Sequence, residues 1–181
     1  MRATRLCYGA AMEADPSPAA ARLPWFHPGV LIATGFGLGY LKPAPGTWGS
    51  LLGLPLLVGL TLLPGWAAVA VWLALLAIGW WACGCGMRHF AAHDPGGIVV
   101  DEYLAVPLVA APLAVTYGGL EVTPLAAGVF FATFRLFDIW KPGPVRWCDR
   151  LPGATGVMLD DLAAAVLAAI VSWLVLALPG W

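Results

Sequence analysis

An all-helical membrane bundle is the fold class this sequence predicts, and three observations predict it. Apolar residues make up 61% of the 181-residue chain and charged residues only 10%, too few to cover a water-facing surface. Five apolar segments, at 50–63, 66–87, 103–120, 122–137 and 162–178, show no polar alternation, so each reads as a helix that is apolar all round. The connections between them are charged on one side only. With about five crossings, one membrane face receives the N-terminal stretch through Gly49, the loop 88–102 and the loop 138–161; the other receives Pro64 and Gly65, the turn near Glu121 and the last few residues. All nine Lys and Arg fall on the first face or at its edge, with nine of the ten carboxylates. Basic loops are retained in the cytoplasm, so the charged loops are expected to gather on the cytoplasmic face.

Taken in order, residues 1–24 carry two early arginines but no apolar run long enough for a signal-peptide core, so no cleavage is expected. Their Ala, Pro and Ser content predicts a disordered N-terminal extension, with a single membrane domain over 25–181. Residues 30–40 are apolar, but Gly29, Gly35, Gly37 and Gly39 make them a poor spanning helix and favour an interfacial or re-entrant one. The segments that follow are separated by "PG" at 64–65, by a turn near Glu121, and by the Pro-Gly-Pro break at 142–144 that must leave the helix. Several are short for a hydrocarbon core that takes ~20 helical residues to cross, which sets their ends in the headgroup zone. Cys83 and Cys85 lie inside an apolar segment and Cys7 and Cys148 near polar flanks. With no C-x-x-C pair, they read as thiols in a reducing setting, neither metal ligands nor disulfides.

Composition also limits the partners. The net charge of -1 and mean hydropathy of +0.84 supply no basic excess for a phosphate backbone, which excludes nucleic acid. Lipids and small molecules remain, and no protein partner is inferable. No C-x5-R or D-x-D phosphatase signature occurs, nor the D-x2-D-G-x2-A-R series of CDP-alcohol transferases.

What the chain does carry is paired carboxylates. Asp101 and Glu102 precede the third apolar segment, and Asp160 and Asp161 precede the fifth. Acidic residues at helix starts are favoured by the macrodipole, so capping is one reading. Two adjacent carboxylates exceed what one cap requires, and a hard divalent cation such as Mg2+ takes one to three carboxylates plus waters. Asp94 and Asp138 are near enough to such a site to join it. Arg135, Lys141 and Arg146 stand beside it in "FRLFDIWKPGPVRWCDR", either as snorkelling anchors next to Trp140 and Trp147 or as a cationic cradle for phosphate. "KPAPGTWGS" adds Lys42, a flexible turn, and the hydroxyls of Thr47 and Ser50, which also suit an anion. His93 is placed to donate a proton to a leaving alkoxide or position water, or is an ordinary loop histidine.

The blocks "PGTWGS", "HDPGGIVVDE", "FRLFDIWKPGPVRWCDR" and "GVMLDDLAAAV", in that order and at these spacings, resemble the phosphatidylglycerophosphatase A family over roughly residues 25–169. Its pattern falls here on Lys42, Pro45, Gly46, Thr47, Gly49, Ser50, His93, Asp94, Asp101, Glu102, Arg135, Asp138, Lys141, Pro142, Arg146, Asp149, Asp160 and Asp161. The resemblance implies Mg2+-dependent hydrolysis of phosphatidylglycerol phosphate to phosphatidylglycerol and inorganic phosphate at the bacterial inner membrane. On that basis Asp101, Glu102, Asp160 and Asp161 are expected to hold Mg2+. Lys42, Thr47, Ser50, Arg135 and Arg146 are expected to bind phosphate. His93, Asp94, Asp138 and Lys141 are expected to act in catalysis, Lys141 by neutralising the phosphoryl group and Asp94 or Asp138 by completing the metal shell or orienting His93. A small transporter or a non-catalytic membrane scaffold is the alternative, although a transporter buries its ionisable groups at mid-membrane rather than at helix ends.

Overall fold

Proline and glycine punctuation sets the elements. A computed structural model describes residues 22–90 and 96–177, and among these every regular element is helical. A short α1, Pro28–Ala33, starts on a proline, and the His27 ring nitrogen accepts a hydrogen bond from Gly29 N at 3.1 Å. A 3-10 turn, Leu38–Tyr40, follows. α2, Pro45–Thr61, and α5, Pro124–Trp140, also open on proline, whose missing N–H costs nothing at a helix start. Thr123 caps α5 by accepting from Ala126 N at 3.2 Å. α3 is Gly65–Phe90, α4 is Val100–Tyr117, α6 is the short Gly143–Asp149, and α7 is Ala154–Leu176. α4 ends where Gly118 takes φ 67°, and α5 where Lys141 takes φ 46° just before Pro142.

α4 is the central helix, packed against α7, α2 and α5. Its Ala105 and Ala110 and the Ala164, Ala165 and Ala168 of α7 are buried, so the two backbones come close. Phe130 and Phe134 of α5, Leu57 of α2 and Val145 of α6 fill the space beside them. A second cluster of Val99, Val100, Leu104, Met158 and Cys83 joins α3 to the bundle. Polar bridges between helices supplement this packing. Thr133 and Ser172 hydroxyls meet at 2.8 Å, Trp72 Nε1 donates to Leu104 O at 2.9 Å, and Trp173 Nε1 donates to Thr116 Oγ1 at 3.0 Å.

α3, α4 and α7 are long and apolar enough to cross a membrane. α3 and α7 expose large apolar side chains, among them Trp66, Val69, Leu73, Ile170 and Leu174, which suit lipid rather than water. The chain is thus a membrane protein. α2 and α5, 17 residues each, extend about 25 Å at 1.5 Å per residue.

Several boundaries differ from those the sequence suggests. α2 begins five residues before Ser50, so Thr47 and Ser50 sit within a helix rather than in a turn leading to it. α4 begins at Val100 and α7 at Ala154, which places Asp101 and Glu102 in the first turn of α4, and Asp160 and Asp161 well inside α7, rather than ahead of those helices. The apolar stretch 30–40 is divided between α1 and the 3-10 turn, and α6 occupies part of the connection 138–161. Of the expected N-terminal extension, residues 1–21 lie outside the described residues.

Candidate active site

One end of the bundle is polar. The N-termini of α2 and α4, the C-terminus of α5 and the first turns of α7 meet there around a cavity of about 310 Å³. Six carboxylates line it, those of Asp101, Glu102, Asp138, Asp149, Asp160 and Asp161, against two cations, Arg135 and Lys141.

Each group is held by local geometry. Adjacent positions on the first turn of α4 turn both Asp101 and Glu102 toward the cavity, and the Asp101 carboxylate accepts from Glu102 N at 3.1 Å. The same device recurs on α7, where Asp160 accepts from Asp161 N at 3.0 Å. Arg135 and Asp138, one turn apart on α5, form an ion pair at 2.6 Å, with Arg135 also 3.8 Å from Glu102. Ser50 lies beneath them. Its hydroxyl donates to Gly46 O at 2.8 Å and accepts from Arg135 at 3.5 Å. Gly46 is needed here, because a Cβ at that position would run into the Glu102 carboxylate and come within 3.0 Å of Arg135 Nη1.

Lys141 is set by the backbone. Its left-handed conformation reverses the chain at the end of α5, and its ammonium is shared by Asp160, at 2.6 Å, and Asp149. A non-glycine residue there is uncommon and mildly strained. Burial is the largest single influence on this amine and pulls its pKa down, but the bonds to Asp149 and Asp160 outweigh it and hold the pKa above the ordinary lysine value. The bond from Lys141 in turn holds the Asp149 carboxyl below its usual range. Nearby, burial and the Asp160 charge push the Cys148 thiol up, so it is not a ready thiolate nucleophile.

Two oxygens lack partners. Glu102 Oε2 and Asp161 Oδ2 are buried and accept no hydrogen bond from the protein, a costly state for a carboxylate unless a cation meets it. One oxygen from each of Asp101, Glu102 and Asp161 lies within 4.8 Å of the others. That donor set, hard and anionic, suits an oxygen-seeking divalent ion. Asp160 stands apart from the trio, engaged by Lys141.

Of the residues the sequence singles out, Asp101, Glu102, Arg135, Asp138, Lys141, Asp160 and Asp161 are brought together around the cavity. Ser50 is buried directly behind them. Lys42 and Arg146 are exposed and Thr47 is half-buried, and none of the three lines the cavity. His93 and Asp94 lie outside the described residues. Asp149 is the addition: the family pattern falls on it, but no role followed from that, and its contact with Lys141 is what the structure supplies.

The family model for phosphatidylglycerophosphatase A matches residues 31–176, a span that includes every residue lining the cavity. The chain belongs to the phosphatidylglycerophosphatase A family. The Escherichia coli (strain K12) phosphatidylglycerophosphatase A is 37% identical over 154 residues, covering 83% of this chain and 85% of that protein. The Haemophilus influenzae phosphatidylglycerophosphatase A is 40% identical over 152 residues, 83% of this chain and 90% of its own length. A Bacteroides thetaiotaomicron protein with the provisional description phosphatidylinositol-3-phosphatase is 37% identical over 165 residues, 87% of this chain and 96% of that one. No solved structure matches. Membership of the phosphatidylglycerophosphatase A family thus rests on a match across nearly the whole bundle, with the carboxylate-rich cavity inside it.

Proposed function

We propose that this protein hydrolyses phosphatidylglycerol phosphate to phosphatidylglycerol and inorganic phosphate with Mg2+ as cofactor, at the cytoplasmic face of a bacterial inner membrane. The observation that carries the reading is the cavity's charge: six carboxylates against two cations, with two buried oxygens unpartnered. An anionic substrate would be repelled from such a site unless cations came first. Asp101, Glu102 and Asp161 are the residues that would hold Mg2+, which when bound supplies positive charge beside the phosphoryl oxygens and lowers the pKa of a coordinated water.

The chain's own groups do the rest. Arg135 and Lys141 face the cavity with the two positive charges that neutralise phosphoryl oxygens. Asp138 fixes the Arg135 guanidinium, and Asp149 and Asp160 fix the Lys141 ammonium, so neither cation must reorganise when phosphate enters. In the reaction a water oxygen bonds to phosphorus, the bond from phosphorus to the glycerol oxygen breaks, and that oxygen takes up a proton. His93 is assigned the proton donation and Asp94 its orientation; Gly96, the first described residue after them, lines the cavity. The diacyl portion stays in the bilayer while the headgroup reaches the site.

The test is phosphate release from purified protein in detergent micelles containing phosphatidylglycerol phosphate. Release is expected with Mg2+, is lost with a chelator, and returns on adding Mg2+ back. Undiminished release in chelator would overturn the metal assignment, and no release under any divalent ion would overturn the phosphatase reading.

A further inference from the structure

A second cavity, of about 410 Å³, lies between α1, α2, α3 and α4 and is lined by apolar side chains, among them Ile32, Phe36, Leu52, Pro55, Leu75 and Ile78. Its volume is within the ~300–1,000 Å³ of ligand pockets. The geometry points to this groove as the seat of one acyl chain of the lipid substrate, an inference that rests on the phosphatase reading above.

Three observations tie the groove to the active site and separate it from the general lipid-facing surface. The first is position on α4: Asp101 and Glu102 line the polar cavity, and the next two residues, Tyr103 and Leu104, line the groove. The second is position on α2. Pro45 and Gly46 line the cavity and Leu52 lines the groove, six residues from Gly46 and about 9 Å further along the helix. A lipid whose reacting phosphate is carried on a second glycerol needs this offset, because a phosphodiester and two glycerol units separate that phosphorus from the acyl chains.

The third is strain at the rim. Phe36 has φ 57° between two glycines that also have positive φ, and the residue is 74% exposed while lining the groove. Hydrogen bonds from Phe36 N to Leu31 O at 2.7 Å and from Gly39 N to Thr34 O at 2.8 Å hold the turn. Two of the lining elements are tied together as well, since Tyr103 Oη of α4 donates to Ile32 O of α1 at 2.9 Å. Backbone held in a sparsely populated region by surrounding bonds is characteristic of ligand clamps. A bulk lipid chain needs no such fixture.

Filling the groove tests the assignment. Leu52→Trp and Leu75→Trp approach it from two different helices, and Leu73→Trp, on the exposed face of α3, is the control. For each, kcat/KM is measured with dioleoyl and with dihexanoyl phosphatidylglycerol phosphate in micelles. The ratio of long-chain to short-chain kcat/KM is expected to fall about tenfold in both filled variants and to stay put in the control. A general folding defect lowers both substrates together and leaves the ratio unmoved. An active parent with ratios unchanged in both filled variants overturns the groove alone and leaves it to bulk lipid. A parent inactive on both chain lengths removes the phosphatase reading, and the groove with it.

Discussion

The buried, unpartnered oxygens of Glu102 and Asp161 are the least comfortable atoms in the protein, and their discomfort makes the metal assignment testable without substrate. Asp161 lies within α7 rather than at its start, so helix capping does not account for it. Without metal, Asp161→Asn removes one charge from a crowded anionic cluster. The variant is expected to be more stable than the parent in chelator, by about 1–3 kcal/mol. It should lose the Mg2+-induced rise in melting temperature and most of its turnover. Thermal unfolding in detergent with and without Mg2+ reads both effects, and an unaltered Mg2+ response would sink the ligand role. Asp149 calls for a different experiment. Its folded pKa is depressed, so its contribution to stability is present above an unfolded value of ~3.9 and is lost as pH falls through the lower folded value. Lys141, with a raised folded pKa, contributes below ~10.4 and loses that contribution as pH rises through the folded value. Asp149 is more than a third exposed, so solvent screening limits the pair to no more than about 1 kcal/mol. The stability gap between parent and Asp149→Asn should therefore be small at neutral pH and close below about pH 4, as denaturation midpoints against pH will show. The paired acids were legible in the sequence because adjacency itself is unusual. The Asp149 contact was not, because it depends on the reversal at Lys141 and on the docking of α6.

Helix starts were the least legible elements, and the three that fall earliest against the apolar count, those of α2, α4 and α7, all carry site residues. Counting apolar residues puts the start of α2 at Ser50, but Pro45 at the first helical position extends it back through "PGTWG" to the cavity. Likewise Asp160 and Asp161 look like a polar boundary, whereas "ATGVML" already forms the first turns of α7. In both cases polar or small residues belong to the helix because they face a polar cavity rather than lipid. This gives the glycines of α2 and α3 opposite expectations. By helix propensity alone Gly→Ala should stabilise by ~0.5–1 kcal/mol. Gly84 in α3 has open space where a Cβ would go, so Gly84→Ala should show that gain. Gly46→Ala should instead cost about 1–3 kcal/mol and most of the activity, because its Cβ collides with the Glu102 carboxylate and crowds Arg135. Equilibrium unfolding of the two variants, with phosphate release for each, decides it; a stabilised and fully active Gly46→Ala would mean that α2 does not approach the carboxylates this closely.

For the whole molecule, the helical class and the gathering of charge followed from composition and loop placement, while the number of crossings depends on helix length against bilayer thickness. α3 and α7, at 26 and 23 residues, are long enough to cross a hydrocarbon core of roughly 30 Å, α4 at 18 residues reaches about 27 Å, and α2 and α5, at about 25 Å, fall further short. Yet α2 and α5 are joined to spanning neighbours by short turns at 62–64 and 118–123, and both end at the polar cavity. α2 and α5, sharing both ends with spanning partners, are therefore expected to traverse the same slab, with the shortfall met by local thinning or by the cavity end sitting below the headgroups. A five-crossing arrangement predicts that Gly153, which precedes α7, and Gly119, in the α4–α5 turn, lie on opposite faces, with the Lys- and Arg-bearing side expected to be cytoplasmic. In a protein whose cysteines are first replaced, single cysteines at these two positions should react with a membrane-impermeant maleimide from opposite sides of sealed inner-membrane vesicles. Gly153 should label in inside-out vesicles and Gly119 in right-side-out ones. Labelling of both from one side would leave an even number of crossings between them, which an α5 that enters and leaves by the same face would produce, and the cavity would then have to be reached by lipid from a shallower site than proposed.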